Sequence, residues 1–254
     1  MTLPYHVDRI IDIQAARDTV FRFFTDSARW AAWWGAGSTI DARPGGRLLI
    51  RYPDGTEATG EVLELLAPEQ IAFSFGFVSG TPIPAGGSRV TIRLEPEGAG
   101  TRVRLSHEFA EEAVRDEFVQ GWRYQLSLFA NVVADEVNAG AAGLVDAWFE
   151  AWREPDVIVR EKTLRRIAVP HVRFRDRFSV TEGIADLVPH LSAAQRFMPG
   201  IRLERRGDVR HCQGTALVDW AALTSDGQER ALGTNLFGFD ANGRIESVVG
   251  FWRR

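Results

Sequence analysis

A run of small residues divides this 254-residue chain into two parts. The run, Asn138-Ala139-Gly140-Ala141-Ala142-Gly143, lies between two stretches in which apolar residues recur every three or four positions, the spacing of a helix with one buried face. Because glycine often follows the last residue of a helix, we expect one helix to end here and another to begin. The sequence therefore predicts two domains, residues 1–139 and residues 142–254, in agreement with the number that the length favours.

Composition argues against several classes of protein. Hydrophobic residues make up 45% and charged residues 25% of the chain, as in ordinary globular domains, and the net charge of −4 argues against a nucleic-acid partner. The chain has no run of 18 apolar residues and no basic segment followed by an apolar one at its start, so we expect no membrane partner and a cytoplasmic location. Cys212 is the only cysteine, so an internal disulfide is excluded. Since no histidines have metal-ligand spacing and no glycine-rich loop joins a strand to a helix, the sequence predicts neither a metal nor a cofactor.

The first half changes its hydrophobic period along the chain. An extended segment at 7–13 and two short helical segments are followed, from Ile40 onward, by apolar residues at alternate positions. Turn signals such as Pro53-Asp54-Gly55 separate about six such segments. A long helix comes next, with apolar residues at Phe118, Trp122, Leu126, Phe129, Val133 and Val137. An antiparallel sheet packed on a long helix, which is an α+β arrangement, satisfies this order.

Several motifs of the first half occur in a fixed order. They are Trp33-Trp34-Gly35, Asp41-Ala42-Arg43-Pro44-Gly45-Gly46-Arg47, Gly60-Glu61-Val62-Leu63-Glu64-Leu65 and Gly121-Trp122. With them, residues 5–137 resemble the Hsp90-ATPase-activator-homologue-like (AHSA1-like) family of the START/Bet v 1-like (SRPBCC) superfamily. The resemblance implies a helix-grip fold with a cavity between the sheet and the long helix. It does not imply action on the chaperone, because the eukaryotic cochaperone carries an additional chaperone-binding domain.

A cavity of that kind would be lined by aromatic side chains. Phe73, Phe75 and Phe77 share one face of a strand, because side chains alternate along it, and the family fold turns that face toward the long helix. The alternative interpretation is a filled core, since aromatic side chains dominate core burial. The predicted ligand-binding residues of the first half are Trp30, Trp33, Trp34, Phe73, Phe75, Phe77, Phe118 and Trp122.

The second half begins with helices and ends with strands. Helical patterns cover 144–152, 157–168 and 184–197, and four antiparallel strands follow between 202 and 252, with hairpin turns at Asp226-Gly227 and Asn242-Gly243. This order, with Phe174-Arg175-Asp176 at the end of an earlier strand, resembles the SnoaL-like/NTF2-like cone fold. The resemblance again implies a concave apolar pocket.

The cone-fold resemblance also implies a catalytic carboxylate just after the first strand, where Asp176 stands. An apolar pocket would raise the pKa of such a carboxyl group toward neutrality, which suits a general base that removes a proton beside a carbonyl. Cone-fold isomerases place two hydrogen-bond donors for the oxyanion, and this chain has Trp148 and Asn235 at those positions. The alternative interpretation of Asp176 is a turn carboxylate bound to backbone amides.

Related polyketide cyclases use a histidine and an aspartate. In this chain His190 or His211, together with Asp219, are candidates for that pair. His190, Asp219 and Trp252 complete the predicted ligand-binding residues of the second half.

We therefore expect a protein that binds a small hydrophobic molecule in one or both cavities. Two alternatives stay open. One is a polyketide-cyclase- or ketosteroid-isomerase-like enzyme with Asp176 as general base. The other is an interaction module that forms a homodimer through the sheet of the second domain. Both folds host many activities, so the functional prediction rests on analogy.

Overall fold

Two units make up the chain in the computed structural model, which describes residues 2–253. The first unit is Met1–Ala134 and the second is Asp135–Arg254. The division falls a few residues before the small-residue run, near the end of a long helix.

From residue 2 onward, the first unit contains a strand, two short helices, six further strands and a long helix. Their bounds are β1 (Tyr5–Ile13), α1 (Arg17–Arg22), α2 (Ser27–Trp34), β2 (Thr39–Ile40), β3 (Arg47–Arg51), β4 (Glu57–Leu66), β5 (Gln70–Phe77), β6 (Ser88–Glu97), β7 (Gly100–Phe109) and α3 (Glu112–Val137). Helix α2 begins where the Asp26 carboxylate accepts the backbone N–H of Arg29 over 2.9 Å, a helix N-cap.

These strands form one antiparallel sheet in the order β1-β7-β6-β5-β4-β3-β2. Period-two sequences alternate between the faces of a sheet, and Phe73 and Phe75 of β5 are accordingly both buried. The ring of Phe75 lies 5.9 Å from that of Phe118 on α3, so this face meets the long helix as predicted.

Up to residue 253, three further helices and six strands make up the second unit. Their bounds are α4 (Ala141–Arg153), α5 (Val157–Ile167), β8 (Ala168–Arg175), β9 (Val180–Glu182), α6 (Ile184–Phe197), β10 (Arg202–Cys212), β11 (Thr215–Leu223), β12 (Glu229–Phe239) and β13 (Ile245–Trp252). Helix α5 begins at Asp156, whose side chain accepts the backbone N–H groups of Ile158 and Val159.

The strands of the second unit form one sheet in the order β10-β11-β12-β13-β8-β9. All pairs are antiparallel except β13 with β8, which run parallel. The three helices pack their buried residues against one face of this sheet in a single hydrophobic core. The predicted α+β fold class is confirmed, and the short strands β2 and β9 are the additions to the predicted elements. Within residues 2–253, no helix is long and apolar enough to cross a membrane.

Candidate functional site

A cavity of about 490 Å³ opens in the second unit, between the inner face of the sheet and helices α4 and α6. Small-molecule pockets in proteins span roughly 300–1,000 Å³. Apolar side chains form most of its wall. They are Phe149, Trp152, Phe174, Phe178, Ala193, Ala194, Phe197, Met198, Leu203, Trp220 and Trp252. An apolar molecule of one to three rings matches such a space in size and surface.

Two glycines make room on the sheet side of this cavity. Gly233 of β12 stands opposite Trp252, and a Cβ atom there would overlap the ring of Trp220. Gly250 of β13 stands opposite Asn235, and its Cβ would lie 3.1 Å from Cβ of Asp176 and 3.3 Å from Oδ1 of Asn235. Any larger residue at position 250 would press on both polar side chains.

Four polar side chains interrupt the apolar wall, and we call Asp176, Ser179, His190 and Asn235 the polar cluster. Asp176 follows β8 directly and begins the turn that leads into β9. Its Oδ1 accepts the backbone N–H of Phe178 over 2.8 Å and of Ser179 over 2.9 Å. Its Oδ2 accepts the indole N–H of Trp252 over 3.1 Å. The carboxylate therefore holds the turn after β8 through these hydrogen bonds and also lines the cavity.

Ser179 connects this carboxylate to helix α6. Its hydroxyl donates to Oδ1 of Asp176 over 3.0 Å and lies 3.2 Å from Nε2 of His190. The imidazole is half-buried, and its ring centroid lies 5.9 Å from that of Trp152 and 5.8 Å from that of Phe174. The turn after β8 and helix α6 are therefore linked at the edge of the cavity.

Asn235 offers a donor to the cavity. Its Oδ1 accepts the indole N–H of Trp220 over 2.9 Å, and indole nitrogen is a donor only, so the oxygen must face Trp220. The amide nitrogen makes no hydrogen bond with any residue from 2 to 253. The –NH₂ group is thus left for a ligand atom that accepts hydrogen bonds.

The mouth of the cavity is aromatic. Phe178 and Phe197 belong to its lining, yet 68% and 86% of their surfaces are exposed to solvent. Phe178 lies edge-on to Trp252, with 5.2 Å between ring centroids. An incoming apolar molecule would meet these rings first.

Four of the predicted site residues of the second half line the cavity, namely Asp176, His190, Asn235 and Trp252. Trp148 does not line it. This side chain is 0% exposed and packs between Phe174 and Phe237 in the core, where its indole nitrogen has no partner among the described residues. Trp152, one helical turn later, lines the cavity instead.

Asp219 also lies outside the cavity lining. It alternates along β11 with Trp220, whose side chain lines the cavity, so Asp219 points to the opposite face. It accepts the hydroxyl of Thr234 over 2.5 Å and pairs with Arg253 over 2.9 Å. The Thr234 hydrogen bond and the Arg253 charge hold the pKa of this carboxyl group below its usual range. His211 is likewise absent from the cavity lining, so the predicted pairing of either histidine with Asp219 is not assembled at this site.

The eight predicted ligand-binding aromatics of the first unit pack largely on one another. Ring centroids lie 5.3 Å apart for Trp30 and Trp33, 4.3 Å for Trp33 and Trp34, and 5.7 Å for Trp34 and Trp122. Trp30 also meets Phe73 at 5.8 Å. These rings occupy space between the sheet and α3 that the resemblance assigns to a ligand.

Phe77 and Phe118 reach a shallow hollow of about 370 Å³ on the same unit, beside Tyr52. Burial, with a smaller contribution from the nearby Asp54 charge, raises the pKa of the Tyr52 hydroxyl. Ligand binding by the first unit stays a prediction.

His107, the buried histidine of the first unit, has a structural role. Ser88 donates its only hydroxyl hydrogen to the carbonyl of Phe75 over 2.9 Å, so Nε2 of His107 donates to Ser88 over 2.8 Å. Its Nδ1 accepts the indole N–H of Trp122 over 3.0 Å. Both ring nitrogens are satisfied, and burial lowers the pKa of His107 to about 3. The neutral ring ties α3 to three strands.

Metal binding finds no support in the part of the chain that the structure describes. No group of three or more His, Cys, Asp or Glu residues there is placed to hold a metal ion.

Comparison with known families gives a match over residues 14–134, to the model described as Activator of Hsp90 ATPase homolog 1-like protein. Comparison with curated proteins gives no match.

Solved structures with similar folds each cover about half of the chain. A proposed isomerase of the SnoaL-like family from Agrobacterium tumefaciens is 25% identical, with a TM-score of 0.43, and the match covers 44% of this chain and 96% of that one. CalU16 from Micromonospora echinospora is 27% identical, with a TM-score of 0.42 and coverage of 49% and 75%. The Aha1 dimer from Colwellia psychrerythraea is 17% identical, with a TM-score of 0.43 and coverage of 48% and 90%. Over residues 14–134, this chain is similar to the Hsp90-ATPase-activator-homologue-like family, which is the family that its sequence motifs resemble.

Proposed function

We propose that the second unit binds a small, largely apolar ring compound that carries one hydrogen-bond acceptor. The observation that supports this most directly is the composition of the cavity wall, in which aromatic and aliphatic side chains surround the polar cluster. Burial of apolar ligand surface provides the affinity, and a few placed polar groups provide the orientation. The amide nitrogen of Asn235 is the donor for the acceptor atom.

A matched pair of ring compounds tests this proposal. 2-Tetralone and tetralin share one bicyclic skeleton, and only the first has a carbonyl oxygen. We expect both to raise the melting temperature of the full chain and 2-tetralone to bind more tightly. No shift with either compound would contradict the proposal.

The same substitution at two positions of α6 provides the control. Ala194 lines the cavity, whereas Ala185 is exposed on the same helix. A194F would fill the cavity and abolish both shifts, whereas A185F would keep them. Equal loss in both variants would show that the shifts do not report on the cavity.

Proton transfer by the polar cluster is a second candidate function. Asp176, the predicted general base, is half-buried in the cavity wall, and Asp176 and Asn235 both lie beside Gly250. Abstraction of a proton beside a carbonyl needs a base and a hydrogen-bond donor in one site. In D₂O, the chain would then accelerate hydrogen–deuterium exchange at C1 of 2-tetralone, measured by NMR. Exchange that is as fast with A194F as with the wild type would exclude the cavity as its site.

A further inference from the structure

Three side chains, those of Asp176, Ser179 and His190, are joined by hydrogen bonds from the turn after β8 to helix α6. The hydroxyl oxygen of Ser179 lies 3.0 Å from Oδ1 of Asp176 and 3.2 Å from Nε2 of His190. A serine hydroxyl has one hydrogen, so it can donate to only one of these two neighbours. The neighbour to which Ser179 donates therefore determines which imidazole nitrogen of His190 carries a proton.

The surroundings of Asp176 settle which neighbour that is. Its other partners are the backbone N–H groups of Phe178 and Ser179 and the indole N–H of Trp252, all of them donors. A carboxylate among donors acts as acceptor only, and a hydrogen bond to an ionised group is stronger than one between neutral groups. Ser179 thus gives its hydrogen to Asp176, and His190 must donate from Nε2 to Ser179.

We propose that Ser179 is a positioning residue that holds the neutral His190 ring in its Nε2-protonated tautomer and leaves Nδ1 as the proton acceptor of the cavity. The hydrogen bond made by one ring nitrogen sets the protonation of the other. Nδ1 makes no hydrogen bond with the described residues, and the ring lies against Trp152 and Phe174, both of which line the cavity.

The proposal assigns Asp176 a role different from that of the general base expected from the sequence. Three donors converge on its Oδ1 and one on its Oδ2, so the carboxylate is largely occupied as an anchor. In the reaction, the C–H bond beside the ligand carbonyl breaks and its proton moves to Nδ1 of His190. The electron pair moves to the carbonyl oxygen, where the amide of Asn235 can donate to the enolate. The charge that forms on the imidazole faces Asp176 through Ser179.

Imidazole nitrogen NMR of the full chain tests the tautomer with the cavity empty. The protein is labelled with ¹⁵N-histidine, the His190 signals are assigned by their loss in H190N, and spectra are recorded at a pH at which the ring is neutral. We expect the Nε2–H form to dominate in the wild type, both forms to be populated in S179A, and the wild-type pattern to return in S179T, which restores a hydroxyl. S247A, on β13 and outside the cavity lining, is the matched control and should leave the pattern unchanged.

Two results would overturn the proposal. One is a dominant Nδ1–H form in the wild type, and the other is an unchanged tautomer in S179A. A collapse of the second unit in S179A would not be mistaken for either, because His211 of the same unit, whose side chain is 14% exposed, reports its fold in the same spectra.

The catalytic part of this inference rests on the proposed function, whereas the tautomer does not. Exchange by each variant is measured at saturating 2-tetralone, because Ser179 also lines the cavity and its removal affects binding as well. H190N should lower exchange at C1 at least tenfold, and S179T should exceed S179A. The expected tautomer without any binding of 2-tetralone would contradict the proposed function alone. Full exchange in H190N would contradict the role of Nδ1.

Discussion

The indole nitrogen of Trp220 donates to Oδ1 of Asn235 over 2.9 Å, and this bond decides which end of the amide is left for a ligand. The two residues stand on neighbouring strands, β11 and β12, and both line the cavity. Because a rigid indole determines the orientation of the amide, the donor is in place before a ligand arrives. Preorganised donors of this kind avoid the cost of reorientation on binding.

Replacing Asn235 with leucine should weaken ketone binding selectively. A neutral hydrogen bond contributes about 1 kcal/mol, so we expect N235L to raise the Kd of 2-tetralone about fivefold relative to its effect on tetralin. Isothermal titration or fluorescence titration of both compounds measures this. The double variant N235L/W220F, which also removes the indole donor, checks that an unpaired Trp220 is not the cause. Equal weakening of both compounds would argue against a hydrogen bond from Asn235.

Replacing Gly250 with alanine should destabilise the second unit. The new Cβ would lie 3.1 Å from Cβ of Asp176 and 3.3 Å from Oδ1 of Asn235, so both side chains would have to move. Overpacking of this kind costs about 1–3 kcal/mol, measured as a shift of the urea midpoint. G143A, in the exposed part of α4 with nothing within 4 Å of the new Cβ, is the control and should be neutral or slightly stabilising. Unchanged stability of G250A would contradict close packing of Gly250 against Asp176 and Asn235.

Much of the fold could be predicted because hydrophobic period reports directly on secondary structure. The bounds of α6 and β13 follow from the sequence to the residue, since apolar residues recur there with clear period and turn signals lie on either side. Strand β9 is three residues long, too short for any period to be visible. It exists because its pairing with β8 closes the turn that holds Asp176 and Ser179.

The cavity could be predicted only in part. Trp148 and Trp152 are four residues apart, so they lie on the same face of α4, and helical period does not distinguish them. Only the packing of Trp148 between Phe174 and Phe237 shows that Trp152 is the one at the cavity. Ser179 carries no sequence signal, because its meeting with His190 depends on how α6 packs on the sheet.

The sequence likewise does not show whether the aromatic residues of the first unit line a cavity or fill a core. The sequence shows that Trp33 and Phe73 are apolar and on buried faces, which fits both a cavity wall and a filled core. Whether a buried space is filled depends on the shapes of all its neighbours, and this information is absent from the hydrophobic pattern.

Arg160 of α5 should be essential for the position of α6 above the cavity. The residue is 1% exposed, and its guanidinium donates to the carbonyl of Glu154 over 3.0 Å, to Ser192 over 2.6 Å and to Gln195 over 2.7 Å. R160M would remove these buried hydrogen bonds and leave Oε1 of Gln195 without its donor, so we expect a loss of about 2–4 kcal/mol in the free energy of unfolding, measured in urea. R165M is the matched control on the same helix, because Arg165 is 57% exposed and, within residues 2–253, its guanidinium pairs at the surface with Glu161 alone. We expect R165M to stay within about 0.5 kcal/mol of the wild type. A similar effect of both variants would contradict a special role of Arg160.

His107 should make the first unit less stable in acid. Burial lowers the pKa of this ring from its ordinary 6.5 to about 3, so between these values the unfolded chain binds a proton that the folded chain does not. The contribution of the neutral His107 ring to the free energy of unfolding is therefore complete above pH 6.5 and is lost progressively as the pH falls toward 3. Between pH 7 and pH 5 we expect the wild type to lose about 2 kcal/mol more than H107Q, whose amide does not titrate. Urea unfolding of both proteins at the two pH values measures this difference. If H107Q lost as much stability as the wild type over that range, other groups would have to account for the acid sensitivity.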